Sequence, residues 1–146
     1  MKFNRLVREI VWPIFKEHNF QFTEHSDYYV DFKSKTIEIV LSYDERGKSN
    51  MLFIGKADGF LWSVDSDVIK YLFGTDVKLD FLSENNFFTE VLVLFENQAN
   101  PLLNSDLRMV DLIKNYVEKK SRKYTLDLIE KQNRAVAYKA WKTKII

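Results

Sequence analysis

The chain has no cysteine among its 146 residues. This absence excludes a disulfide framework, a thiol nucleophile and a thiolate metal site, and it is typical of proteins from a reducing compartment. Glycine and proline are also scarce, with 4 and 2 copies, which argues against long flexible linkers. The glycines are too dispersed along the chain to form the glycine-rich loop that cradles a phosphate group.

The sequence also lacks a long apolar segment. Charged residues interrupt the first twelve residues, MKFNRLVREIVW, so these residues do not resemble a signal peptide. No stretch approaches the roughly 18 apolar residues that a membrane-spanning helix needs. We therefore expect a cytoplasmic protein that does not associate with a membrane.

Large apolar side chains are abundant. Hydrophobic residues make up 46% of the chain and aromatic residues 15%, including 12 phenylalanines, which favours a packed core over disorder. The length fits one domain. We interpret residues 1–146 as a single α+β domain in which residues 118–146 form a basic helical extension.

The spacing of apolar residues predicts an N-terminal helix followed by an antiparallel meander. Residues 3–18 repeat apolar side chains at helical spacing, and Pro13 should kink this helix before it ends at His18-Asn19. The period then changes to the two-residue alternation of strands with one buried face. Three strands are predicted at 28–33, 36–43 and 50–56, and residues 20–23 either add a short fourth strand or extend the first.

The second half of the chain is predicted to be helical, although residues 75–86 show no clear pattern. Residues 87–96 are apolar nearly all round, which fits a buried helix or a buried strand, and their helical neighbours favour the helix. Other helices are expected at 65–73, capped by Asp65-Ser66-Asp67 and stopped by Gly74, from Ser105-Asp106 onward, and over 124–143.

Charge is distributed unevenly along the chain. Residues 1–113 hold 12 Lys/Arg against 18 Asp/Glu, whereas residues 114–146 hold 10 against 3. The most acidic segment, residues 57–113, has 3 basic and 10 acidic residues. Such asymmetry either marks a surface for a partner or reflects helices that carry solvated charges.

No catalytic, cofactor-binding or metal-binding motif is present. The two histidines, His18 and His25, supply too few ligands for zinc, and we interpret them as structural or surface residues. Asp44 and Glu45 are the nearest candidate pair of catalytic acids, and a solvated turn between strands explains them equally well. We expect a protein that is not an enzyme and holds no cofactor or metal, unless carboxylates converge in the fold.

Aromatic residues are concentrated in two further segments, residues 58–62 and the basic segment after residue 118. Residues 58–62, Asp-Gly-Phe-Leu-Trp, form either a lid over the core or an exposed contact patch, and we favour the lid. The basic segment after residue 118 carries Tyr124, Tyr138 and Trp141. Basic charge beside aromatic residues is typical of a nucleic-acid surface, and the same aromatics at helical spacing fit core contacts or the seam of a homodimer.

Short segments of the chain resemble those of known families. The segment Ile-Glu-Ile-Val-Leu-Ser-Tyr-Asp-Glu-Arg in the meander and Pro-Leu-Leu-Asn-Ser-Asp at residues 101–106 are the main examples. With the preceding helix, they resemble small bacterial α+β families over residues 5–117. Some of these families look like the immunity proteins that are encoded beside polymorphic toxins. The resemblance implies that the protein neutralises a cognate toxin by direct binding.

The leading hypothesis is therefore a bacterial protein-binding domain. The resemblance implies an immunity protein whose partner is a toxin. An acidic surface would complement a basic toxin and steer its association. The residues predicted to contact the partner are Asp65, Asp67, Asp76, Asp80 and Glu84. The alternatives are a nucleic-acid-associated protein that uses the basic C-terminal helix, a carboxylate-based enzyme, and a homodimer paired through that helix.

Overall fold

The computed structural model describes residues 2–76, 79 and 83–121. Two compact units divide the chain, residues 1–114 and residues 115–146. The first unit has the predicted α+β fold, with an N-terminal helix, an antiparallel sheet and then helices. The predicted helix at 124–143, with the aromatic residues proposed for a dimer seam, lies outside the described residues.

The N-terminal helix has three parts: α1 (Lys2–Leu6), a π-helical turn (Val7–Val11) and α2 (Trp12–Lys16). Pro13 explains the π turn, since its ring would collide with the carbonyl group four residues earlier in a regular helix. The wider turn avoids this collision, and Trp12 N–H donates instead to Val7 O. The helix is followed by Asn19 in the left-handed conformation, at φ 64°, as predicted.

The sheet has five strands, one more than the largest predicted number. They follow one another in chain order as an antiparallel meander: β1 (Gln21–Ser26), β2 (Tyr29–Lys33), β3 (Ile37–Asp44), β4 (Ser49–Lys56) and β5 (Leu61–Ser63). The extra strand, β5, pairs with the end of β4. It has only three residues, which are too few to show the alternation that predicts a strand.

The second half of the first unit is helical. A short helix, α3 (Ser66–Val68), continues as a π-helical turn (Ile69–Phe73) and stops at Gly74, whose φ is 69°. Residues 87–96, whose sequence fits either a helix or a strand, are helical and form most of α4 (Glu84–Glu96). The short α5 (Asn100–Leu103) follows, and the first unit is helical again over residues 107–114. Of the second unit, the structure describes residues 115–121, which are helical.

The core lies between one face of the sheet and the helices of the first unit. Alternation along each strand directs one set of side chains to this face. Phe32 of β2 stacks on Phe15 of α2, with ring centroids 4.3 Å apart, and Phe15 meets Phe95 of α4 edge-on at 4.9 Å. All three phenylalanines are fully buried. Side chains on the other face of the sheet point away from this core.

Candidate functional site

The structure places the predicted acidic residues at the starts and ends of helices. Asp65 and Asp67 lie at the start of α3, and Asp76 is exposed just beyond Gly74. Glu84 is half-buried in the first turn of α4, where one of its oxygens, Oε2, has no hydrogen-bond partner within the part of the chain that the structure describes. Asp80 lies outside the described residues. These residues belong to different elements, and their role in binding stays a prediction.

Asp65 has a structural role at the start of α3, so removing its side chain should destabilise the protein. Its side chain is the N-cap of α3 and accepts a hydrogen bond from Val68 N–H at 3.0 Å. Asp65→Ala is expected to lower the free energy of unfolding by about 1 kcal/mol, within the range of about 0.5–2 kcal/mol for lost N-caps. Urea denaturation measures this change. Asp76→Ala is the matched control and should change stability by less than about 0.5 kcal/mol; equal losses would contradict the capping role.

A cluster of ionisable side chains lies on the face of the sheet that points away from the core. This carboxyl cluster consists of His25, Tyr29, Asp31, Lys33 and Glu38. In the register of β2 and β3, Glu38 is opposite Lys33 and diagonal to Asp31, which brings the two carboxyl groups within reach of each other. His25 is the extra residue in a bulge of β1, and its Nε2 lies 3.1 Å from Asp31 Oδ2.

Asp31 is the buried centre of the carboxyl cluster. Its side chain is only 7% exposed. Whereas Oδ2 faces His25, Oδ1 is buried and has no hydrogen-bond donor among the described residues as long as Glu38 is ionised. Carboxylates are seldom buried so deeply unless both oxygens are paired.

Neighbouring acids alter the protonation of this cluster. Burial raises the pKa of Glu38 above its ordinary value, and a hydrogen bond to Asp31 and the charge of Asp31 raise it further. The pKa of the Tyr29 phenol is raised too, first by burial and then by the charges of Glu38 and Asp31. Burial and the neighbouring carboxyl group of Asp31 thus both favour the neutral form of Glu38 over its carboxylate.

The raised pKa of Glu38 predicts how stability depends on pH. Folding favours the protonated group, so its stabilisation is fully present below the ordinary glutamate pKa of about 4.3 and is lost as pH rises through the higher folded-state pKa. Glu38→Gln imitates the protonated group. It should therefore raise the melting temperature, relative to the wild-type chain, more at pH 8 than at pH 4.

Thermal unfolding of the wild-type chain and of Glu38→Gln, at pH 4 and at pH 8, measures this difference. The matched control is Glu45→Gln, in the exposed turn between β3 and β4. It should change the melting temperature by a similar amount at both pH values. A Glu38→Gln effect that is the same at pH 4 and pH 8 would contradict the raised pKa of Glu38.

The loop between β4 and β5, residues 57–60, exposes an aromatic residue. Phe60 is 84% exposed, so the predicted role of this residue as a lid over the core is wrong. Its ring lies 6.3 Å from that of Trp62, at an open cavity of about 210 Å³. The other residues that line this cavity are Lys56, Gly59, Val110 and Lys114.

This aromatic loop (residues 57–60) is held in place by several contacts. Ala57 N–H donates to Thr36 O and Gly59 N–H donates to Lys56 O, both at 2.9 Å. A side chain at Gly55 would place its Cβ 2.1 Å from the Phe60 carbonyl oxygen, so only glycine allows the loop to cross β4 so closely. Phe60 is therefore presented on a fixed backbone.

The carboxyl cluster and the aromatic loop adjoin each other. Gly55, beneath Phe60, is the register partner of Glu38. Asp58 of the loop forms an ion pair with Lys33 of the cluster, and this hydrogen bond is the main cause of the raised pKa of Lys33. The Asp58–Lys33 ion pair thus joins the aromatic loop to the carboxyl cluster.

Little in the sequence predicts these two features. Its patterns indicate a structural or surface role for His25, and Asp31 and Glu38 belong to no recognisable motif. The proposed catalytic pair fits the alternative interpretation, since Asp44 Oδ1 accepts a hydrogen bond from Arg46 N–H in an exposed turn. The available signal was that Asp31 and Glu38 both occupy outward positions of neighbouring strands in a short hairpin.

Comparison with known proteins adds no further identification. No model of a protein family, no curated protein and no solved structure matched the chain. Within the described residues, no group of three or more His, Cys, Asp or Glu side chains is placed to hold a metal ion. None of the helices described is long and apolar enough to cross a membrane.

Proposed function

We propose that this chain is a protein-binding domain whose partner docks on the aromatic loop and the adjoining carboxyl cluster. The observation that carries the proposal is Phe60, a large apolar side chain left in solvent on a backbone fixed by hydrogen bonds and by Gly55. Rigid exposed aromatic residues are typical anchors of protein interfaces, because little conformational entropy is lost when they bind.

The surroundings of Phe60 also suit a protein partner. The open cavity beside it offers apolar contacts with Trp62 and Val110. The charges at its rim are largely paired: Lys56 lies 3.2 Å from Asp111, and Lys33 is paired with Asp58. An apolar centre with a rim of paired charges is the usual arrangement of a protein interface.

The finer proposal is that the partner is a toxin, which the domain neutralises by direct binding. The resemblance of residues 5–117 to immunity proteins supports it, as does the acidity of residues 57–113. Asp67, Asp76 and Glu84 are among the acidic residues that would then contact a basic toxin. If a neighbouring gene encodes such a toxin, co-expression of this chain should restore growth, and the Phe60→Ala chain should restore it poorly. Equal protection by both chains would contradict a role for Phe60 in neutralisation.

Site-specific crosslinking in the native cell tests the proposal. The photoreactive amino acid benzoylphenylalanine is placed at position 60 and, as a matched control, at position 71, where Tyr71 is 69% exposed. We expect one dominant protein adduct from position 60 that position 71 does not give, followed by binding of the purified partner to the purified chain. The same adducts from both positions would overturn the proposal, and an RNA or DNA adduct from position 60 would favour the nucleic-acid hypothesis instead.

A further inference from the structure

The sheet ends at β1, and within the described part of the chain no strand covers the outer edge of β1. We propose that an extended segment of a partner protein pairs with this edge as a further antiparallel strand, and that the segment carries an aromatic side chain followed two residues later by an acidic one. Since β5 forms the opposite edge of the sheet, the inference does not rest on the role proposed for Phe60.

Hydrogen bonding between β2 and β3 shows which way the backbone groups of β2 point. Tyr43 N–H donates to Tyr28 O at 3.0 Å, just before β2 begins. Because the residues of a strand direct their N–H and C=O groups alternately to its two sides, every second residue from Tyr28 faces β3. Asp31 is one of the residues between them, so its backbone groups face β1.

The same alternation identifies the unpaired backbone groups of β1. The register partner of Asp31 is Thr23, and the register is regular over residues 21–24. Thr23 therefore directs its N–H and C=O groups to β2, whereas Phe22 and Glu24 direct theirs to the open edge. Such an edge is a template for an added strand.

A groove of about 630 Å³ runs beside this edge. It is lined by three residues of the N-terminal helix, Arg8, Trp12 and Lys16, and by residues 20–23. Since side chains alternate between the two faces of a strand, a groove that touches residues 21, 22 and 23 in succession reaches the backbone edge of β1. A strand added there would place its side chains in the groove.

The N-terminal helix runs beside β1 in the opposite direction. Arg8 forms an ion pair with Glu24, and the rings of Trp12 and Phe22 are 5.5 Å apart, so Lys16 lies beside the start of β1. Four residues of a helix span about 6 Å and two residues of a strand about 7 Å. Side chains two residues apart on an added strand therefore match the spacing of Trp12 and Lys16.

The charge of the groove favours an acidic side chain at one of these two positions. Both charged residues that line it are basic. Arg8 is already paired with Glu24, whereas Lys16 is exposed and forms no ion pair among the described residues. In an antiparallel strand, an aromatic residue opposite Phe22 would pack on Trp12, and a carboxylate two residues later would reach Lys16.

The experiment uses the full isotope-labelled chain and the peptide acetyl-Thr-Thr-Phe-Thr-Glu-Thr-amide, followed by NMR of the backbone amides. We expect saturable shifts of the Phe22 and Glu24 amides. Methylation of the peptide's phenylalanine nitrogen removes the donor to Phe22 O and should weaken binding about tenfold or more. Methylation of the threonine nitrogen just before it, which points away from β1, should leave binding nearly unchanged.

Two variants at position 24 test the same pairing from the side of the chain. Glu24→Pro and Glu24→Ala both lose the ion pair with Arg8, and only Glu24→Pro also loses the outward N–H group. Proline is tolerated on an edge strand where its nitrogen faces solvent. Glu24→Pro should bind the peptide about tenfold more weakly than Glu24→Ala. The methylated peptides give the same test on the wild-type chain, whatever the stability of Glu24→Pro.

The acidic preference is tested at Lys16. Lys16→Gln should weaken peptide binding about two- to fivefold, as for other exposed ion pairs, and so should glutamine in place of the peptide's glutamate. Lys35→Gln, at an exposed lysine outside the groove, should have no effect, and neither should Phe60→Ala. A Lys16→Gln chain that binds as well as Lys35→Gln would overturn the acidic preference.

Three results would overturn the added strand itself. They are the absence of saturable shifts, equal binding of the two methylated peptides, and shifts of the Phe22 and Glu24 amides that depend on protein concentration without peptide. The last result would assign the edge of β1 to a second copy of the chain. None of the three would affect the crosslinking result at position 60, so the two binding surfaces are tested separately.

Discussion

Phe15→Ala is expected to lower the free energy of unfolding by about 3–5 kcal/mol, the usual range for removing a buried phenylalanine. Phe15 is fully buried, stacks on Phe32 and contacts Phe20 and Phe95 edge-on. It joins α2, the sheet and α4, so its loss would leave a cavity at the point where three elements meet. Urea denaturation, followed by circular dichroism, measures the change.

The matched control is the same substitution at Phe60. Since this side chain is 84% exposed, Phe60→Ala should change the free energy of unfolding by less than about 0.5 kcal/mol. A large contrast between the two variants would show that the fold does not require Phe60. A loss of several kcal/mol in Phe60→Ala would instead make this residue part of the core and remove the main support for the binding surface.

Gly55→Ala should both destabilise the protein and displace the aromatic loop. The new methyl group would lie 2.1 Å from the Phe60 carbonyl oxygen and 3.1 Å from Leu61 Cα, and these are backbone atoms that cannot move without disturbing β5. We expect a loss of about 1–3 kcal/mol or somewhat more, as for other forced overpacking. The measurements are urea denaturation and the fluorescence of Trp62, which lies beside the displaced loop.

Gly59→Ala is the control for this substitution, because Gly59 belongs to the same loop. Its added Cβ would come no closer than 3.3 Å to any neighbouring atom, so a loss below about 1 kcal/mol is expected. If Gly55→Ala were as mild as Gly59→Ala, the close crossing of β4 by the loop would be wrong, and with it the fixed presentation of Phe60.

Much of the fold was predictable because its signals are local. Alternation revealed β2, β3 and β4, and the chemistry of Asn19 and Gly74 marked two helix ends correctly. The kink predicted at Pro13 takes the form of a widened, π-helical turn within a continuous helix. The strand β5 was missed because three residues are too short a segment to show alternation.

The site was harder to predict because it depends on register and on exposure. Asp31 and Glu38 are seven positions apart in the sequence and approach each other only because β2 and β3 pair with Lys33 opposite Glu38. A bulge in β1 adds His25 to the carboxyl cluster, and no pattern in the sequence predicts this bulge. Composition alone could not show that Phe60 faces solvent while Leu61 and Trp62 are half-buried.

The central claim is that Phe60 anchors a protein partner, and the affinity of Phe60→Ala for that partner tests it most directly. The partner identified by crosslinking at position 60 is purified, and its dissociation constant is measured with the wild-type chain, Phe60→Ala and Tyr71→Ala. We predict at least about tenfold weaker binding for Phe60→Ala, as for an interface anchor, with Tyr71→Ala close to the wild-type value. Equal affinities of all three chains would contradict the claim.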